Sequence, residues 1–252
     1  MKKKFTALLL TLATTLSLCS IPLMAAPAMA AKTPTFSDVP ATHWAFACIE
    51  SCYAKGIMQG VGNGKFDPER LVTGAEVVQT LYNLYRDRVP ATVVEVLRLH
   101  DVPDDAWFHE AAYWSVRSGI SNYSSRPGNL LLGETDYMIY SLGPSSTWGG
   151  RAYAATCLGR VADALGVKLP ETVDPVTFPD GDHFYLRDDE GNILLSQRRD
   201  LSPDITEYIY AMQRAGIISG FPDGTFRPEE GLTRAQWAKM VDLFTDIEGI
   251  RP

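Results

Sequence analysis

Apolar residues recur at helical spacing in several short stretches of the chain, and a glycine closes most of them. Trp44 to Lys55 reads as one such helix, with Thr42 as its N-cap and Gly56 and Ile57 at its end. Trp107 to Gly119 repeats that spacing, and Gly150, Arg151 and Ala152 open a helix running to about Leu165. Ser202 and Pro203 cap a further helix, which carries Ile205, Ile209 and Met212 on one stripe, an ordinary core face. A different pattern occurs only at Tyr185 to Arg187 and Ile193 to Leu195, which flank the polar run Asp188 to Asn192 and predict a short exposed hairpin. The fold class is therefore mainly α, built of helix-loop-helix units with a small β-hairpin insertion.

Those units are copies of one another. From Ala215 to Met240 the chain spells out a helix end at Gly216, a turn at Pro222, Asp223 and Gly224, an inward-pointing Phe226, and a new helix N-capped by Thr233, with Gln236 closing a capping box. The helix then starts at Arg234, whose guanidinium is expected to project freely beside the helix N-terminus, where an anion is favoured. Gly56, Gly60, Gly64, Phe66, Pro68, Glu69, Thr73 and Ala75 recur without gaps as Gly216, Gly220, Gly224, Phe226, Pro228, Glu229, Thr233 and Ala235. Half of these matches are Gly or Pro, which specify backbone geometry. Between them lies a divergent copy: Asp101, Val102 and Pro103 repeat Asp38, Val39 and Pro40, but the loop from Ser121 to Gly150 is long and lacks the Gly-x-Phe element. The copies are drawn at 36–86, 99–166 and 177–247.

Composition narrows the class. The 252 residues are 46% hydrophobic, enough for a sizeable core. Residues 1–30 carry Lys2 to Lys4, an apolar run from Phe5 to Leu18, and Ala28, Met29 and Ala30, the pattern of a secretory signal cleaved after Ala30 and leaving no membrane anchor. Cleavage would take the formal charge from −7 to −10, which argues against nucleic acid or anionic membrane as partners and requires a local basic site for any anionic ligand. Cys48, Cys52 and Cys157 then remain, the first two reading as small hydrophobes on one helix face, with a bridge from Cys157 left open. His43, His100, His109 and His183 show no metal-ligand spacing, no cofactor is expected, and no G-x-S-x-G, HExxH or P-loop motif marks an enzyme.

Phe178 with Asp180, Gly216 to Gly220, Asp223 to Pro228 and Thr233 to Gln236 resemble the repeats of the S-layer homology family, and the resemblance extends over nearly all of the chain after the signal. It implies three repeats in one pseudo-threefold bundle, exported to the cell wall or S-layer, whose inter-repeat grooves bind secondary cell-wall polysaccharide, including pyruvylated forms. The family's arginine falls on Arg234, with Gln236, Asp223 and Gly220 beside it, on Arg151 in the middle copy, and on Gly74 in the first. One good groove is thus expected at Arg234, a second at Arg151, and a first reduced to scaffolding. Asp38 is a turn former or a hydroxyl acceptor. Trp44, like Trp107, packs between repeats or stacks on sugar. For Arg234 the alternative is a surface ion pair with Asp223, Glu229 or Glu230. A wall-binding module of this kind could also present Ser121 to Gly150 and Gly181 to Asn192 to an envelope protein partner. Two other functions stay open: a degenerate scaffold that has lost polymer binding, suggested by Gly74 and the divergent middle copy, and a wall glycan hydrolase, for which no carboxylate pair can be picked.

Overall fold

In the computed structural model the described residues are 33–92, 99, 102–121, 150–187 and 193–252. Residues 1–32, 93–98, 100–101, 122–149 and 188–192 lie outside them, and with them the expected signal segment, nearly all of the stretch expected as a long loop and the polar run expected to turn the hairpin. The described chain is mainly helical: α1 (Phe46–Ala54), α2 (Gly74–Tyr85), α3 (His109–Arg117), α4 (Arg151–Ala164), α5 (Pro203–Arg214) and α6 (Arg234–Thr245). Between α4 and α5, β1 (His183–Arg187) pairs antiparallel with β2 (Ile193–Asp200), His183 opposite Asp200, with an irregularity between Tyr185 and Arg187.

Local sequence accounts for the helix ends. At the end of α1 the Gly56 N–H bonds to Tyr53 O and the Ile57 N–H to Cys52 O; at the end of α5, Gly216 bonds to Gln213 O and Ile217 to Met212 O. This double closure needs a left-handed residue, and Gly56 and Gly216 supply it at φ +72° and +73°. Thr73 and Thr233 both cap through their hydroxyls, with Glu76 and Gln236 reaching back to the cap N–H. Thr42 does not cap α1. That helix begins later, at Phe46, and the His43 Nδ1 accepts the Ala45 N–H instead.

Helices pair across the chain: α1 packs on α6, α2 on α3, and α4 on α5. One core runs through these contacts, with Ile49, Leu81, Leu158, Ile209, Trp237 and Phe244 all fully buried. Loop aromatics join it. Phe66 and Phe226 are fully buried, 5.3 and 5.4 Å in ring separation from the phenylalanine that opens the same stretch, Phe36 or Phe178. These phenylalanines lie directly on glycine: a Cβ at Gly220 would sit 2.6 Å from Phe178 Cε1 and 2.9 Å from Thr225 O. Gly220→Ala is therefore expected to lower stability by about 1–3 kcal/mol through overpacking, read from urea unfolding. An unchanged midpoint would mean that the ring moves aside freely.

Trp44 and Trp107 do not pack between copies. They are 59% and 64% exposed, because Ala45 and Phe108, the next residues, take the inward positions ahead of α1 and α3. Cys48, Cys52 and Cys157 are all free thiols, and the Cys52 Sγ donates to Ala238 O across the α1/α6 seam.

Candidate functional site

Each glycine-rich loop is first fixed within its own copy. Asp38 accepts the N–H groups of Phe66 and Asp67 at 2.9 and 2.8 Å, and Asp180 accepts those of Phe226 and Arg227 at 2.7 and 2.8 Å. The second N–H of each pair belongs to a non-glycine residue in left-handed conformation, Asp67 at φ +59° and Arg227 at +55°. Such backbone persists only where its surroundings over-determine it, and the carboxylate clamp provides that.

A helix start distant in sequence then docks on each loop. At the start of α6 the Arg234 N–H bonds to Arg70 O and the Ala235 N–H to Pro68 O, while the Arg234 side chain donates through Nε to Phe66 O (2.9 Å) and through Nη2 to Gln59 O (2.8 Å). At the start of α4 the Arg151 N–H bonds to Glu230 O and the Ala152 N–H to Pro228 O, while the side chain donates through Nε to Phe226 O (2.8 Å) and through Nη2 to Ser219 O (2.7 Å). All four acceptors of the first set map onto the second through the same repeat offset. The two arginines are therefore equivalent staples, each fastening a helix start to a glycine-rich loop distant in sequence.

This corrects the expectation that Arg234 projects freely. Its side chain is 8% exposed, and its guanidinium lies over the Phe66 ring at 4.5 Å. Nor does it pair with Asp223, Glu229 or Glu230, because it serves the loop of the first copy rather than its own. The expected site residues consequently divide. Arg234 and Asp38 meet at the first loop, whereas Arg151 docks on the third, which holds Gly220 and Asp223. Asp223 there accepts from Thr225 and from Arg227 Nη2 (2.8 Å), and Gln236 caps α6.

The two docked loops differ in charge. Arg234 Nη1 lies 3.6 Å from Glu76 Oε1, and Glu76 also takes both Nη groups of Arg70 at 2.6 and 3.2 Å. Burial pushes the Glu76 carboxyl up, but hydrogen bonds from Arg70 and the Thr73 N–H outweigh it and hold the group below its ordinary range. At the third loop the position of Glu76 is taken by neutral Gln236. Among the described residues Arg151 has no ion pair, and its Nη1 has no hydrogen-bond partner. Burial pushes this guanidinium down to about 10, with Glu230 opposing and Arg227 adding to the effect. Arg227 stacks over the Phe221 ring at 4.0 Å and Arg151 over the same ring at 4.7 Å. Among the described residues Arg227 forms ion pairs with Asp223 and Glu230, whereas Arg151 forms none and meets Glu230 and Asp180 only at longer range. The buried Arg151 thus sets a guanidinium edge beside an aromatic ring and a loop pinned from both sides.

Sequence reasoning missed Arg227, Phe221 and the carbonyls of Gln59 and Ser219. The contrast between Glu76 and Gln236 was readable from the repeat offset, but its meaning depended on knowing which arginine faces which copy.

Acid should loosen these loops. Burial raises Asp38, yet the Phe66 and Asp67 N–H groups together outweigh it and hold its carboxyl below the usual value, as Arg70 and Thr73 do for Glu76. A depressed carboxylate contributes stability that is present above its unfolded pKa of about 4 and lost as pH falls through the folded value. The thermal midpoint is expected to be level between about pH 6 and 8 and to fall below about pH 4, less steeply in Glu76→Gln. Differential scanning calorimetry across this range checks it, and equal slopes in both proteins would remove Glu76 from the account.

No helix among the described residues is long and apolar enough to cross a membrane, and no group of three or more His, Cys, Asp or Glu among them is placed to hold a metal ion. The family model for the S-layer homology domain matches residues 35–78 and 200–238. Both matched segments include a docked loop and a capped helix start; α4 falls in neither. A cell surface protein of Thermoanaerobacter kivui is 61% identical over 33 residues, covering 13% of this chain and 4% of that protein. The match thus spans a small fraction of the relative's length.

Proposed function

We propose that the chain is an exported, non-catalytic cell-envelope protein that binds an anionic secondary cell-wall polysaccharide in the groove where α4 docks on the third loop. Three S-layer homology repeats, at 36–86, 99–166 and 177–247, form a pseudo-threefold bundle. The cyclic pairing of α1 with α6, α2 with α3, and α4 with α5 supports this arrangement, as do the equivalent contacts of Arg234 and Arg151. The family match and the cell-surface relative support placement at the cell wall or S-layer after signal cleavage.

The observation that carries the binding reading is the buried Arg151 guanidinium, without a carboxylate partner among the described residues. A polymer carboxylate, such as that of a pyruvate ketal, supplies the missing charge, with a charge-assisted hydrogen bond contributing roughly 1.5–3 kcal/mol. Exposed Trp44 and Trp107 offer flat apolar faces for further sugar contacts. Gly74 stands where the other copies have arginine, and the middle loop it would serve has lost its Gly-x-Phe element, so staple and receptor are absent together. Arg234 remains the weaker groove, already neutralised by Glu76.

Sedimentation with peptidoglycan sacculi, before and after chemical extraction of the secondary polymer, tests this reading. Binding lost on extraction is the expected result. If the folded protein stays in the supernatant with unextracted sacculi, the reading is wrong, and the bundle serves instead as a scaffold for an envelope protein.

A further inference from the structure

A cavity of about 290 Å³ opens between α4, the segment that follows it, and α5, away from the residues that contact the docked loops. The equivalent seam between α6 and α1 is bridged: Asp242 there accepts from Ser51 Oγ at 2.7 Å and Lys55 Nζ at 2.8 Å. The offset that relates Arg234 to Arg151 puts Gly159 in the place of Asp242. With no side chain at Gly159, the Tyr208 ring lies on the α4 backbone, where a Cβ would stand 2.1 Å from its Cδ1. The Tyr208 hydroxyl donates to Asp163 at 2.6 Å, so the ring is fixed as a wall of the cavity.

The remaining walls are apolar at Ala162, Val167, Leu169, Pro170 and Ala211 and charged elsewhere. Asp163, Glu171, Asp204 and Glu207 outnumber Lys168 and Arg214. Arg214 is matched by Glu171 at 3.5 Å, and Asp204 by Arg160 at 3.2 Å from outside the cavity. Glu207 is exposed and has no ion pair among the described residues. A volume near the lower end of small-molecule sites, about 300 Å³, admits one ring rather than an extended chain. An aromatic wall favours the C–H face of a sugar or a cation, and the excess of carboxylates favours a positive charge and hydroxyl donors.

We propose that this cavity is a second carbohydrate subsite, which takes a single hexosamine ring carrying a free ammonium group. Its ring lies against Tyr208 and Leu169, and its ammonium meets Glu207. The subsite does not depend on the reading of the Arg151 groove, and the excess of carboxylates disfavours an anionic sugar there.

Titration of the full chain with glucosamine, followed by amide chemical shifts at about pH 6, below the ordinary pKa of an amine, tests the assignment. Shifts are expected at Gly159, Tyr208 and Leu169, with weaker or no response to N-acetylglucosamine. Glu207→Gln should weaken glucosamine binding up to about fivefold, as for one exposed ion pair, and Lys168→Gln should strengthen it, a gain that structural damage would not produce. Gln236→Glu, at the other site, should leave it unchanged. Equal response to the two sugars, no localised shifts, or insensitivity to Glu207→Gln would overturn the proposal.

Discussion

Arg234→Ala is expected to destabilise the protein by about 3–5 kcal/mol, against a total stability of about 5–15 kcal/mol for an ordinary domain. The guanidinium is buried and donates to two carbonyls of another copy, Phe66 O and Gln59 O, while shielding Glu76. Alanine removes two hydrogen bonds from a charged donor, each contributing roughly 1.5–3 kcal/mol, and leaves the carbonyls without that partner. Lysine should rescue little, since one ammonium cannot reproduce the divergent Nε and Nη2 donors. The thermal midpoint should fall by about 10 °C in alanine and nearly as far in lysine. A midpoint within about 2 °C of wild type would show that the staple contributes little.

Gln236→Glu is expected to lower affinity for the wall polymer about tenfold or more without loosening the fold. Thr73 with Glu76 already shows that glutamate completes this capping box, so the start of α6 should keep its cap. The new carboxylate would stand towards Arg151 as Glu76 stands towards Arg234 and would compete with the ligand anion. A loss of about tenfold corresponds to roughly 1.4 kcal/mol, the scale of one charge-assisted hydrogen bond. Co-sedimentation across a salt series measures it, and wild-type affinity in this variant would detach Arg151 from binding.

Much of the local structure was legible because it is dictated locally. The Gly56 and Gly216 helix ends, the Thr73 and Thr233 caps and the buried Phe66 and Phe226 follow from residue types whose backbone or burial preferences leave few choices. The start of α1 was misplaced for a related reason. Thr42 is a good cap by type, but Ala45 and Ile49 are the residues that fill the core, and they set the helix phase. What the pattern did not carry was the direction of the arginines. Arg234 lies eleven residues after Asp223 in sequence yet acts on a loop more than 160 residues away, a consequence of the cyclic helix pairing. That direction decides the site, because it sets Arg234 against Glu76 and leaves Arg151 on the side of neutral Gln236.

Isothermal titration of purified polymer fragments into wild type and Gln236→Glu, with melting temperatures recorded for both, tests the central claim most directly. We predict one tight site per chain in the wild type, an affinity reduced about tenfold in the variant, and a melting temperature in the variant no lower than that of the wild type. Equal affinities at equal melting temperatures would contradict the claim that the unpaired charge of Arg151 makes the groove on the third loop the working site.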